Sequence, residues 1–366
     1  MIDQPDARDV ATCTYCPKMC RAVCPVAEVE KRETVTPWGL MNAISLKAQG
    51  HSAIKGEGAQ VLWHCLECRR CQQHCLDHVD VGASVQAARF QAWAEGDAPA
   101  KAKSLANRFK KTGNPFGPDL AAAAQASTAA EDCSKESRVV LMADCSTARH
   151  YPNQLPKTLK VLKAAGINAT LWDTDITCCG APLYHAGDLE AFTAHAKKVQ
   201  RALRDKNQVV IPSPGCAHIM NDIYSEVGAG LSAKVQHPVE ALSEASPLPY
   251  RQAHTASPTV YHDPCHLARS LGRVKEPRAM LEAATGLAPR EPFHSGSQAP
   301  CCGGGGGMPA IVPDVAAQVA RAAVKNLDAG PGETVVTACS SCRRRLERAG
   351  IEAPVRDLME VLADAL

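Results

Sequence analysis

Apolar and polar positions follow two rhythms along this chain. Up to residue 97, stretches such as TPWGLMNAISLKAQG and VGASVQAARFQAWAEG carry a helix-like pattern. Residues 98–135 turn Ala-, Lys- and Ser-rich, with GNPFGP in the middle and no steady apolar period. A partly ordered connector lying over the surface is expected there. Beyond it, short strand-like runs take over: RVVLMADC (138–145), QVVIPSPGC (208–216), PTVYHDPC (258–265) and TVVTAC (334–339). They alternate with helical patterns of roughly 10–15 residues, which predicts βαβ units and parallel sheets.

The strand-rich part repeats itself. Each half runs strand, cysteine, helix, short strand, Cys-Cys-Gly, helix, strand, cysteine. The spacings are Cys-x32-Cys-Cys-x36-Cys from Cys145 and Cys-x35-Cys-Cys-x36-Cys from Cys265, with matching positions 120 to 123 residues apart. A duplication follows. In both halves the cysteines come just after strands. The carboxyl ends of parallel strands line the crevice where open α/β sheets bind ligands. Helix N-termini opening there add partial positive charge suited to an anionic centre.

Composition narrows the chemistry. A net charge of +2 over 366 residues gives no field to attract nucleic acid. The polar start MIDQPDARDV is read as carrying no secretory signal. No run of 18 apolar residues occurs, so no transmembrane segment is expected in the chain itself. Cysteine stands out, with 18 residues at tight spacings. In a chain read as unexported, such clusters indicate metal ligands rather than disulfides.

Two motifs near the N-terminus carry the densest thiols. CTYCPKMCRAVCP supplies Cys13, Cys16, Cys20 and Cys24; CLECRRCQQHC supplies Cys65, Cys68, Cys71 and Cys75. Both approximate the C-x2-C-x2-C-x3-C-P run whose fourth cysteine ligates the other cluster. One 4Fe–4S cubane is therefore assigned to Cys13, Cys16, Cys20 and Cys75, and a second to Cys65, Cys68, Cys71 and Cys24. The first motif has one extra residue between Cys16 and Cys20, and Leu76 stands where proline is usual. Paired zinc sites are the alternative.

The repeated Cys-Cys-Gly pattern resembles the CCG domains of the heterodisulfide reductase family. A two-cluster ferredoxin module followed by two such domains is also similar to the iron–sulfur subunits of glycolate, lactate and anaerobic glycerol-3-phosphate dehydrogenases. HDPCHLAR, CCGGGGG and VVTACSSC resemble the heterodisulfide reductase side more closely. The implied fold is α+β and multidomain. An α-helical two-cluster ferredoxin domain (1–97) and the connector (98–135) would precede two tandem Rossmann-like α/β domains, 136–250 and 251–366. The resemblance also implies a non-cubane 4Fe–4S cluster on Cys265, Cys301, Cys302, Cys339 and Cys342. Gly303, Gly304, Gly305, Gly306 and Gly307 would then form a backbone nest against that cluster. The first repeat offers Cys145, Cys178, Cys179 and Cys216 but has Ile219 at the fifth position. A structural domain without a full cluster is favoured there, with zinc or a cluster with a replaced ligand as alternatives. Cys133, in the connector, is given no role.

These features describe an iron–sulfur oxidoreductase subunit. Electrons would cross the two cubanes to the five-cysteine site. They would there reduce a disulfide or pass to a membrane quinone-linked subunit, or else run in reverse. No GxGxxG opens a strand–helix unit, so flavin is expected on a partner, a flavoprotein dehydrogenase or an electron-transferring flavoprotein. The expected location is the cytoplasm, or the inner face of the membrane through that partner. His262, Asp263 and His266, flanking Cys265, are candidate proton donors. Arg69, Arg70, Arg343, Arg344 and Arg345 are candidates for offsetting cluster charge. A non-catalytic relay and a zinc-binding assembly or regulatory protein are the rival functions.

Overall fold

Each repeat builds one parallel sheet whose strands end at cysteines. The computed structural model describes residues 2–51, 55–128, 137–172, 174–250 and 257–366, so Cys133 lies outside the described residues. In the first repeat β1 (Val139–Leu141), β2 (Thr170–Leu171), β3 (Gln208–Val210) and β4 (Lys234–Gln236) are ordered β2-β1-β3-β4. In the second, β5 (Thr259–His262), β6 (Thr334–Thr337) and β7 (Val355–Asp357) are ordered β5-β6-β7. A single parallel bridge from Val260 to Arg290 takes the place of β2 there. The second sheet therefore repeats the order of the first. In each sheet the central pair runs in parallel to its carboxyl end, Leu141 with Val210 and His262 with Thr337, ahead of the cysteine turns.

The crossover helices owe their position to apolar faces at helical spacing. Phe192, Ala196 and Val199 are buried on the helix Leu189–Ala202. On Pro313–Leu327 the buried positions are Val315, Ala316, Val319, Ala320, Ala323 and Leu327. The N-terminal region is helical, with Pro37–Ala48 capped by the Thr36 hydroxyl and Val81–Ala94 capped by the Asp80 carboxylate.

The two repeats meet through their cysteine turns, reciprocally. The turn before Cys145 faces the turn after Cys339, where the Ser340 hydroxyl donates to Asp144 at 3.4 Å. On the other side the turns of Cys216 and Cys265 face each other, and His218 stacks on His266 with ring centroids 5.3 Å apart.

The connector departs from expectation. Residues Ala100–Thr112 form a helix that buries Ala102, Leu105, Ala106 and Phe109. That spacing is an amphipathic stripe hidden among many alanines and lysines. Phe109 packs edge-on against His195 of the first repeat, centroids 5.0 Å apart, so this segment belongs to the core. Phe109→Ala should destabilise the protein by about 3–5 kcal/mol, the usual cost of emptying a buried aromatic site. Denaturant unfolding would read it; a change within about 0.5 kcal/mol, as at an ordinary surface position, would return the segment to a surface tether.

Candidate metal centres

The 17 described cysteines are all free thiols, and they gather into four sets. Cys13 has Cys16, Cys20 and Cys75 as electrostatic neighbours, so the first motif recruits the last cysteine of the second. Cys71 is surrounded by Cys68, Cys65 and Cys24, the converse exchange. Cys24, Cys65, Cys68 and Cys71 line one apolar cavity with Leu40, Leu66 and Val81. The crossed grouping arises because Cys24 opens the helix Pro25–Glu30, whose proline start turns the chain toward the second motif.

Buried thiols in such sets resist ionisation. Burial first, then the neighbouring sulfurs, push Cys13 up to about 12 and Cys20 to about 11. Burial does the same to Cys65, to about 12. Four neutral thiols facing one apolar space offer each other little, whereas a bound cationic centre deprotonates them and uses every sulfur. The donor sets therefore fit sulfur-ligated metal.

The second motif is fastened from behind. Arg89, fully buried, donates from Nη2 to the carbonyls of Leu62 (2.9 Å) and Cys65 (2.7 Å), and from Nη1 to Glu67 (2.5 Å). Glu67 also meets His185 Nδ1 at 3.1 Å. Burial opposes its charge, but His185 and Arg89 together hold it at about 2.

In the second repeat, Cys302 and Cys342 sulfurs lie 3.1 Å apart, and Cys301 and Cys265 sulfurs 4.0 Å apart. Hydrogen bonds from Cys301 and Cys342, joined by His262, hold Cys302 well below the usual thiol range, while its donors are raised. This set reaches the ferredoxin region: the Cys68 and Cys301 side chains adjoin. The first repeat brings Cys145, Cys178, Cys179 and Cys216 together, with Cys179 and Cys216 sulfurs 3.1 Å apart. Buried Ile219 closes the fifth corner. The His195 ring donates to the Cys178 carbonyl and the Tyr224 hydroxyl to the Cys179 carbonyl, both at 2.8 Å.

The glycine run packs against the ferredoxin region as well as its own repeat. A Cβ at Gly305 would stand 2.3 Å from the Leu66 carbonyl oxygen, and one at Gly306 2.2 Å from that of Cys65. The loop is thus pressed backbone to backbone onto the second ferredoxin motif, which only glycine permits. Gly304 alone lies beside a sulfur of the second repeat, 3.3 Å from Cys302 at the Cβ position. At its Cβ position Gly303 packs on the carbonyl of Ala316, and Gly307 beside His185.

The proton-donor candidates separate as well. His262 is buried, its Nε2 lacks a partner, and it can place a ring nitrogen within 4.8 Å of the Cys302 and Cys342 sulfurs. Asp263 is committed elsewhere, to Arg278 (2.8 Å twice) and the Gly296 amide (2.7 Å). His266 turns away, into a cavity of about 470 Å³ shared with His218, Glu67 and Arg69. Among the arginines, Arg70 has the Cys68 and Cys24 sulfurs as neighbours, and Arg345 those of Cys302 and Cys301. Arg69 pairs with Asp80, and Arg343 with Glu347 and Glu360. Missed altogether was Arg269. Its place four residues after Cys265, one helical turn on, was the available signal.

Comparison with known proteins accords with this geometry. Residues 9–79 match the 4Fe-4S dicluster domain, and residues 139–221 and 259–347 each match the cysteine-rich CCG domain. The chain thus joins a 4Fe-4S dicluster domain to two cysteine-rich CCG domains, an arrangement similar to that of heterodisulfide reductase relatives. A subunit of the fumarate reductase (CoM/CoB) of Methanothermobacter marburgensis is 25% identical over 98% of this chain and 73% of its own length. A subunit of the dihydromethanophenazine:CoB–CoM heterodisulfide reductase of Methanosarcina mazei is 27% identical over 62% of the chain, which spans 59% of that protein. Lactate utilization protein A of Shouchella clausii is 26% identical over 61% of the chain and 98% of its own length. Such relatives, subunits of oxidoreductases, accord with an iron–sulfur electron-transfer role in that general sense. Among the described residues no helix is long and apolar enough to cross a membrane.

Two sets of outcomes follow for these sulfur groups. Cys68→Ser should remove about half of the iron of the ferredoxin region, one of two four-iron clusters, and Cys302→Ala the iron of the second repeat. Cys179→Ala should leave total iron unchanged, and equal losses from Cys179→Ala and Cys302→Ala would show the first repeat to be loaded too. Gly306→Val should disturb the second ferredoxin set and the second CCG set together, because its side chain meets the Cys65 carbonyl. Gly332→Val, which has nothing within 4 Å of its Cβ position, is the control; equal behaviour of the two variants would remove the close approach from consideration.

Proposed function

We propose that this chain carries electrons between a flavoprotein partner and the five-cysteine set of the second CCG domain. There they either reduce a disulfide or pass on toward a quinone-linked partner. The observation that carries the reading is the Cys68–Cys301 contact, which joins the second ferredoxin set to the second CCG set. Cys20, in turn, is an electrostatic neighbour of Cys24 and Cys71, so the first and second sets adjoin as well. Three sets thus stand in series, and no described sulfur contact ties the first CCG set to them.

Cys13, Cys16, Cys20 and Cys75 would hold one 4Fe–4S cluster, Cys24, Cys65, Cys68 and Cys71 a second, and Cys265, Cys301, Cys302, Cys339 and Cys342 a non-cubane one. When bound, such clusters supply one-electron carriers, and at the five-cysteine set a centre able to take a sulfur ligand. The chain's own residues do the rest. Around the first set Tyr15, Met19 and Leu76 are exposed at 90%, 71% and 98%, which suits an end of the series that faces a partner. His262, with a ring nitrogen near the Cys302 and Cys342 sulfurs, would supply one of the two protons that accompany two electrons in cleaving a disulfide to two thiols. Asp263, fixed by Arg278, keeps the strand end that carries His262 in place. The first CCG domain, with Ile219 for its fifth cysteine, would serve as a structural partner. Relatives named for a CoB–CoM heterodisulfide and for lactate utilisation are compatible with either acceptor class.

His262→Ala separates the two. If thiols are released at this set, disulfide turnover should fall about 10²- to 10⁴-fold, the range of a lost general acid. Iron content should stay constant. Unchanged disulfide turnover would leave the site a relay only, and stoichiometric zinc with negligible iron in anaerobically purified protein would end the electron-transfer reading.

A further inference from the structure

Arg269 occupies the gap between two of the sulfur sets. It sits on the π-helical turn His266–Ser270, one turn beyond Cys265. Its Nε donates to the Cys68 carbonyl at 2.5 Å, and its Nη1 to the carbonyls of Ser297 (3.0 Å) and Ala299 (2.9 Å). Ala299 lies two residues before Cys301, so one guanidinium bridges the second ferredoxin motif and the loop carrying Cys301 and Cys302. Its remaining nitrogen, Nη2, is buried and has no hydrogen-bond partner. The electrostatic neighbours around it are the sulfurs of Cys68, Cys265, Cys301 and Cys71. No described carboxylate forms an ion pair with it, and a second cation, Arg70, stands nearby.

An enclosed cation needs a compensating anion. Three carbonyls satisfy hydrogen bonds without neutralising charge, and Arg70 makes the deficit worse. The compensation on offer is thiolate and cluster charge from the two sets on either side. Two anionic centres so close repel, and each added electron increases the repulsion. A fixed cation between them lowers that cost for both at once. Arginine suits the task because its planar fork fits several acceptors while its charge cannot be lost.

We propose that Arg269 is a positioning residue shared by the second ferredoxin set and the second CCG set, clamping Cys68 to the Cys301 loop and favouring electron uptake at both. This rests on the iron–sulfur reading above.

The test is a redox titration of the full chain, loaded anaerobically with iron and sulfide and followed by electron paramagnetic resonance. Dithionite supplies one electron per centre, with no bond made or broken. In Arg269→Met the reduction equilibria of the second ferredoxin and second CCG centres should shift at least tenfold toward the oxidised form, about 59 mV for one electron. The first ferredoxin centre should stay within about threefold of wild type, beyond reach of a local cation. Arg269→Lys, which keeps the charge but not the fork, should recover at least half the shift. Unmoved equilibria in a fully loaded Met variant would overturn the proposal. So would equal shifts in the Met and Lys variants, or loss of iron from both, since either makes Arg269 a scaffold without an electrostatic role. Wild-type protein that takes up no iron at these sets would instead sink the iron–sulfur reading itself, before any variant is compared.

Discussion

The backbone contact between Gly305–Gly306 and Cys65–Leu66 sets the arrangement of everything else. Glycine forfeits packing and costs conformational entropy, yet here it removes the side chains that would hold two loops apart. The hypothetical Cβ atoms fall 2.2–2.3 Å from carbonyl oxygens, inside any tolerable contact. With them gone, the loop of Cys301 and Cys302 lies directly on the second ferredoxin motif, and Cys68 meets Cys301. Arg89 braces the same motif from the opposite side through the Leu62 and Cys65 carbonyls. The contact therefore links two domains at the point where their sulfur sets approach.

Bringing anionic sets together raises an electrostatic problem, and the chain answers it locally. Arg70 and Arg345 each neighbour one pair of sulfurs, and Arg269 neighbours two sets at once. The first CCG domain has no such concentration among its described residues. It has Ile219 in place of a fifth thiol, with Tyr224 and His195 bonded to the carbonyls of its Cys-Cys pair. Duplication thus supplied two similar sheets. Among the described residues only the second of them brings a cysteine against the ferredoxin sulfurs, while the first packs on it through the Asp144–Ser340 and His218–His266 contacts.

Much of this was legible in the sequence, because cysteine spacing reports ligand geometry directly. The duplicated domains follow from counting residues, the crossed grouping of Cys24 and Cys75 from the ferredoxin-type run, and the missing fifth thiol at Ile219 from the resemblance to CCG domains. The helix Ala100–Thr112 was hidden because its buried stripe uses two alanines, which propensity alone cannot tell from a solvated linker. The contact of the glycine run with the ferredoxin motif was hidden for another reason. A run of glycines signals close approach but does not say to what, and the partner at Cys65–Leu66 lies more than 230 residues away. His266 and Asp263 looked equivalent to His262 beside Cys265; the twist of strand end into π-helical turn sends the three side chains to different places. Arg269 needed the fold, since its acceptors come from three separated segments.

The most direct measurement is of the magnetic coupling between centres in the reduced, fully loaded chain. If Gly305 and Gly306 bring the second ferredoxin set against the second CCG set, their paramagnetic signals should broaden and relax each other when both centres carry unpaired spins. Gly306→Val should weaken that coupling far more than it alters coupling between the two ferredoxin centres. Independent, uncoupled signals in the wild-type chain, with iron present at both sets, would contradict the contact on which the rest depends.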